Sequence, residues 1–233
     1  MERFLKDKAN EIKMVALKNM HIFLKQLPED KRSTFIKYIV QTFDEASKSE
    51  WRLKQALAQN LGNYCMLFDA QTVYNEFLPM FFKFCSDNVA QVSNASCSAL
   101  GEIIEKFNDD EAKQAGIVRV VRNRYFKSKT FKKRQLYIMM CGSGLMNKKD
   151  LFEKYFKLDF LSLVNDRVPN VRIGMAKVLR HHFLKEISGA MVYDTEVNEA
   201  VKVLKQDKCE DVKFHVNDIE TYPANDQKEI TAE

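Results

Sequence analysis

One short figure returns in this chain about every 40 residues, and it constrains the fold more than any other feature. It is an apolar residue inside a run of helical spacing, usually followed by a base and preceded, five positions earlier, by Asp. The apolar anchors are Ile12, Trp51, Val92, Phe131, Val171 and Val212, with spacings of 39, 41, 39, 40 and 41 residues. The next residue is basic in five copies (Lys13, Arg52, Lys132, Arg172, Lys213), and Ser93 is the exception. Asp stands five positions ahead in four copies (Asp7, Asp87, Asp166, Asp207), with Ala46 and Phe126 in the other two. Near-equal spacing with correlated positions marks a structural unit repeated along the chain.

The copy from Asn165 to Leu179 is the clearest. The Asp166 carboxylate can accept from free backbone N–H groups. Pro169 pre-sets φ at a helix start, where its missing donor costs nothing. Val171, Met175, Val178 and Leu179 then recur at helical spacing, so one face is apolar. The segments between anchors are helical as well. Phe35, Ile36, Ile39, Val40 and Phe43 form one such stripe, and Tyr193, Val197, Ala200, Val201 and Leu204 form another. Each unit is therefore a pair of helices, A and B. The predicted fold is all-α, an α-α superhelix (solenoid) of about six helical hairpins with an incomplete first unit. The period matches HEAT or armadillo repeats.

Composition agrees. Seven Gly and four Pro are too few for the turns of an all-β chain of this length. Hydrophobic content of 45% and charged content of 30% fit a water-exposed protein with a sizeable core. A net charge of +5 is a mild basic excess, well short of a nucleic-acid-binding tail. No apolar run approaches the roughly 20 residues that span a bilayer. The N-terminus has no secretory h-region. Five cysteines without a C-x-x-C favour neither disulfides nor zinc. The expected compartment is reducing, cytoplasmic or also nuclear, and no cofactor or metal is expected.

The predicted units cover 1–27, 28–67, 69–107, 109–146, 149–187 and 190–220, followed by a disordered polar tail at 221–233. Pro79 should kink the first helix of the third unit. Gly142 and Gly144 should end or bend the second helix of the fourth. Each turn Asp should meet the Arg or Lys of the adjacent unit, in a ladder that sets the angle between repeats.

Three stretches carry a family resemblance. Trp51-Arg52-Leu53-Lys54 resembles a W-R-V-R motif, Val168 to Lys177 resembles V-x-N-V-R-x-N-V-A-K, and Asp211-Val212-Lys213-Phe214 resembles D-V-K-Y. These motifs belong to the HEAT-repeat scaffold subunits of protein phosphatase 2A and, more loosely, to the protein phosphatase 4 regulatory subunit 1 type. The likeness covers most of residues 1–220. It implies a rod without chemistry of its own, whose turns between helices A and B grip a Ser/Thr protein phosphatase catalytic subunit. Carried onto this chain, the contact residues would be Trp51, Arg52, Asn88, Ala90, Gln91, Lys132, Arg167 and Asn170. Trp beside Arg at a helix opening is a plausible interface anchor. The alternative reading packs Trp51 inside its own unit.

Two other functions fit a helical array. One is an importin-like or general assembly adaptor. The other is a DNA-binding protein of the HEAT-like alkylpurine glycosylase type. Its basis is the cluster Arg119, Arg122, Arg124, Lys127, Lys129, Lys132, Lys133 and Arg134, interleaved with Tyr125, Phe126 and Phe131. That enzyme type needs Trp and Asp lining one pocket, and Trp51 has no such companion.

Catalytic groupings are absent from the pattern. Cys141-Gly142-Ser143-Gly144 lacks G-x-S-x-G and a preceding strand. His181 and His182 are adjacent on a helix and diverge, so they cannot chelate one metal. His182 reads as a satisfied core histidine. Glu102 and Glu105 read as solvated charge, and the ten Met as core filler.

Overall fold

A computed structural model describes residues 1–46, 50–184 and 194–220. Outside the described residues lie 47–49 in the second unit, the end of the fifth unit, the start of the sixth with Tyr193, and the expected tail. All regular structure among the described residues is helical.

The first hairpin is α1 (Glu2–Leu5) and α2 (Asn10–Lys25). The second is α3 (Glu29–Ser33), α4 (Ile36–Ala46) and α5 (Trp51–Leu67). The third runs through α6 (Ala70–Thr72), a π-helical turn Val73–Phe77, α7 (Leu78–Cys85), α8 (Ala90–Ser96) and α9 (Leu100–Glu105). The fourth is α10 (Glu111–Val121), continued by a π-helical turn Arg122–Phe126, then α11 (Phe131–Met140). The fifth is α12 (Lys149–Tyr155), α13 (Lys157–Ser162) and α14 (Pro169–Leu184). The sixth is α15 (Thr195–Lys205) and α16 (Glu210–Phe214).

Two of the units depart from a plain pair of continuous helices. In the unit expected at 190–220 the last helix ends at Phe214, and Val216 and Ile219 are buried in the turns that follow. The fifth A helix breaks at Phe156, whose φ of −124° is not helical. Pro79 sits at the second position of α7, directly after the π-helical turn. The π-helical turn is the local irregularity at which this helical run takes in a residue that cannot donate an i→i−4 bond.

The chain divides into two lobes. One holds Met1–Arg119 with Ser143–Lys148, the other Val120–Gly142 with the residues from Lys149 onward. In the first lobe the B helices stack in order: α2 on α5, and α5 on α8 and α9. Leu17, Met20, Leu57, Leu61, Tyr64, Phe77, Phe81, Val92 and Leu100 fill the space between the layers with no solvent exposure. Each such aliphatic side chain contributes about 1.5–3 kcal/mol. Phe43 meets Phe84 edge-on at 5.1 Å, joining the A helices of the second and third repeats. Arg32 donates to the carbonyl oxygens of Leu24, Leu27 and Leu67, closing the ends of α2 and α5 with one guanidinium.

The second lobe repeats the scheme. α11 packs on α14, and α14 on α15 and α16. Tyr137, Ile138, Phe156, Phe160, Val171, Met175, Leu179, Val201 and Leu204 form its core. His182 is buried, with Nε2 2.9 Å from the Gly142 carbonyl oxygen, as a satisfied core histidine should be.

The stretch Cys141–Leu145 does not simply end its helix but continues as a π-helical turn. Its glycines permit close approach. In the first lobe a Cβ on Gly101 would lie 2.0 Å from the Gly144 carbonyl oxygen. Nearby, Glu102 and Glu105 are not merely solvated. Both grip Lys148, with Nζ 3.0 Å from the Glu102 carboxylate. Burial works against the Lys148 charge, yet the two carboxylates raise its pKa above the usual value.

Candidate functional site

Five of the turns between helices A and B share one device. An oxygen of the residue six positions ahead of the fourth residue of helix B accepts the N–H two residues on. Asp7, Asp87, Ser128, Asp166 and Asp207 do this for Ala9, Val89, Thr130, Val168 and Cys209, at 2.8, 2.9, 3.2, 2.9 and 2.8 Å. Short polar side chains close such turns because they can fold back on their own backbone.

The fourth residues of the B helices, counted from the helix starts, are Lys13, Lys54, Ser93, Arg134, Arg172 and Lys213. Lys54, Arg134 and Arg172 complete the device, while Lys13 pairs with Glu45 and Lys213 with Glu210. Lys54 Nζ lies 2.6 Å from the Asp87 carboxylate of the next repeat. Arg134 holds Asp166 with two bonds of 2.5 and 2.9 Å. It also donates to the carbonyl oxygens of Ser128 and Lys129 in its own turn. Arg172 repeats this one unit on. It pairs with Asp207 at 2.5 and 2.8 Å and donates to its own turn at the Asp166 carbonyl, 2.6 Å away. Each arginine thus clamps its own turn and the next. In the third and fourth repeats Ser93 and Ser128 replace the base and the acid, respectively.

The charges respond accordingly. The Arg172 guanidinium and the Cys209 N–H hold the Asp207 carboxyl below the usual range against the cost of burial. Burial pushes Asp166 up, but Arg134 and the Val168 N–H outweigh it, and its pKa is lowered as well. A second row joins the A helices of the second lobe. Arg122 pairs with Asp159, and Lys157 lies 2.5 Å from Asp194, which also caps α15 through the N–H groups of Glu196 and Val197.

The expected ladder therefore exists, but in two repeats its base is not the expected one. Lys54 and Arg134 form the rungs, not Arg52 and Lys132. Trp51 and Phe131 are the first residues of their helices, whereas Ile12, Val92, Val171 and Val212 are the third. The register slips by two, and two helical residues turn the side chain by about 200°. Counting six residues on from the turn oxygen of Ser128, not from the apolar anchor, gives Arg134, whereas the second repeat has Lys48 at the corresponding position and gives no such lead to Lys54.

The residues named as contacts all sit on the turns or on the first turn of a B helix. Arg52, Asn88, Ala90, Gln91, Lys132, Arg167 and Asn170 are exposed. Trp51 is half-buried, with the Arg52 guanidinium 4.6 Å from its ring centroid. Each thus has a solvent-facing position in its own lobe: Trp51 to Gln91 in the first, Lys132 to Asn170 in the second.

The basic cluster divides in two. Arg122 and Arg134 are spent on Asp159 and Asp166. The rest is exposed, while the interleaved rings turn inward. Tyr125 is buried and Phe126 packs on Tyr137 at 5.3 Å. Among the described residues, no group of three or more His, Cys, Asp or Glu is placed to hold a metal. No helix among them is long and apolar enough to cross a membrane.

No protein-family model matches the chain. Over 219 residues, 91% of its length, it is 27% identical to the serine/threonine-protein phosphatase 4 regulatory subunit 1 of Mus musculus, and equally to that of Homo sapiens. The chain spans about a quarter of these relatives, 23% of their length. The phosphatase-regulator likeness drawn from the three motifs is thus found over nearly the whole chain. Among solved structures, an engineered protein aligns with 92% of this chain and 91% of its own, at a TM-score of 0.44 and 14% identity. A designed armadillo repeat protein aligns with 92% of this chain and 94% of its own, at a TM-score of 0.41 and 11% identity.

Proposed function

We propose that this chain is a non-enzymatic HEAT-repeat scaffold or regulatory module that holds a Ser/Thr protein phosphatase catalytic subunit against its A–B turns. The observation that carries this reading is the similarity to a phosphatase regulatory subunit along nine-tenths of the chain. The turn geometry supports it. The rungs tie the turns at Asp87, Asp166 and Asp207 to the repeat before each, so the side chains on those turns are presented at a lower entropy cost than those of an untied loop. Trp51 backed by Arg52 is the proposed anchor. Asn88, Ala90 and Gln91 would extend the contact in the first lobe, and Lys132, Arg167 and Asn170 in the second.

The test is capture of a purified phosphatase catalytic subunit by the tagged full chain, with Trp51→Ala alongside. Capture is expected, with at least a tenfold weakening in the variant, corresponding to about 1.4 kcal/mol. A chain that retains no phosphatase, while its circular dichroism is intact, would move the reading to a general assembly adaptor.

A further inference from the structure

We propose that the turns of the fourth, fifth and sixth repeats form a row of cations that takes an extended acidic segment of a partner protein, its carboxylates about three residues apart. This deepens the scaffold reading and rests on its claim that the turns face a partner.

Lys129, Arg167 and Lys208 occupy the same place in three successive turns. Each directly follows the residue whose oxygen closes the turn: Ser128, Asp166 or Asp207. All three are exposed, and none has an ion-pair partner among the described residues. Lys127, Lys132 and Lys133 add exposed charge at the first of these turns. The rungs have two consequences. Arg134 and Arg172 tie the three turns side by side. They also engage Asp166 and Asp207, the carboxylates that would otherwise neutralise the row. What remains at the surface is positive, apart from the first turn of α16. There Asp211 stands where Lys132 and Asn170 stand in the repeats before it, and both it and its neighbour Glu210, which pairs with Lys213, are exposed. The row is therefore strongest at the fourth repeat.

The spacing selects the ligand. α11, α14 and α16 pack as neighbours, which sets successive turns roughly 8–10 Å apart. A peptide in the extended polyproline II conformation advances about 3.1 Å per residue and returns its side chain to the same side every third residue, whereas a β-strand would turn every other one of these carboxylates away. A carboxylate at every third residue would thus meet Lys129, Arg167 and Lys208 in turn. Nucleic acid fits less well. Single strands are held by bases stacked on aromatic faces, and here Tyr125 and Tyr137 are buried, Phe126 packs on Tyr137 and Phe131 is half-buried.

The experiment titrates the full chain with a fluorescent peptide of roughly twelve residues, Glu at every third position among Ser and Gly, at low and moderate salt. A single-stranded oligothymidylate of similar length is the comparator. Salt-sensitive peptide binding is expected, weakened at least about tenfold by Lys129→Glu with Arg167→Glu and unchanged by Trp51→Ala. Circular dichroism checks that the variants fold. Absence of peptide binding at low salt overturns the proposal, as does binding indifferent to the charge reversals. Tighter binding of the oligonucleotide through the same residues overturns it in favour of nucleic acid. The phosphatase assay shares no ligand with this titration. A chain that captures the phosphatase but ignores the peptide therefore sinks this inference alone.

Discussion

The guanidinium of Arg172 is held by both oxygens of Asp207, 35 residues onward, with Nε 2.5 Å from Oδ2 and Nη2 2.8 Å from Oδ1. The pair is largely shielded from water, with side-chain exposures of 15% and 7%. It joins two repeats at their turns, while the apolar core joins them along their helices. Removing one partner strands the other charge in a half-dry place. Asp207→Asn should therefore lower the unfolding free energy by about 1–3 kcal/mol. The double change Arg172→Met with Asp207→Leu should recover part of that loss, because neither charge is then stranded. Urea unfolding of the three variants measures the coupling.

Acid should loosen the same rungs. Asp166 and Asp207 have folded pKa values below the usual carboxylate range. An unfolded Asp takes its proton near pH 3.9. Below that pH the unfolded chain binds more protons than the folded one, so stability falls as pH falls. The contribution of both carboxylates is fully present above about pH 5 and is lost as pH drops through the folded values. Melting temperatures from pH 7 to pH 3 should decline more steeply for the natural chain than for the Arg172→Met, Asp207→Leu variant.

The register of the ladder separates two neighbouring bases. Lys54 pairs with Asp87 at 2.6 Å, while Arg52 lies over Trp51 at the surface. Lys54→Met should cost about 1–2 kcal/mol by leaving Asp87 without its cation. Arg52→Met should cost less than about 1 kcal/mol. Equal losses in chemical denaturation would argue against the rung assignment.

Glycines offer a steric test. Gly101→Ala would drive a Cβ to 2.0 Å from the Gly144 carbonyl oxygen, a backbone atom that cannot swing away. The substitution should destabilise by about 3 kcal/mol or more, through overpacking. Gly116 lies inside α10 with nothing within 4 Å of an added Cβ. Gly116→Ala should stabilise by about 0.5–1 kcal/mol through helix propensity. Thermal melts of the two proteins should move in opposite directions.

Thiol chemistry should be selective. Cys65, Cys85, Cys97 and Cys141 are buried, and only Cys209 has partial access to solvent. Burial also pushes the Cys141 thiol well above its ordinary pKa, and the Cys65 thiol likewise, with the Glu102 charge adding to the effect there. A thiol reagent at neutral pH should modify one site quickly under native conditions and all five only on unfolding. Mass mapping should place the fast site at Cys209.

The amino-acid order by itself determined that the chain is built of helices in pairs and where most of them start. A 40-residue period and a 3.6-residue apolar stripe are both local properties, readable without coordinates. The turn acids were legible for the same reason, since Asp7, Asp87, Asp166 and Asp207 bond to N–H groups two residues away. Only the tertiary structure decided which base meets which acid. Arg134 reaches Asp166 and Lys54 reaches Asp87 because each occupies the fourth position of its helix and so faces the next turn. Lys132 and Arg52, two residues earlier, point elsewhere and stay in water. The Lys148 grip on Glu102 and Glu105, more than 40 residues away, is hidden from the sequence for the same reason. Such pairs depend on how neighbouring helices are rotated against each other, and that rotation is set by the packing of whole hairpins.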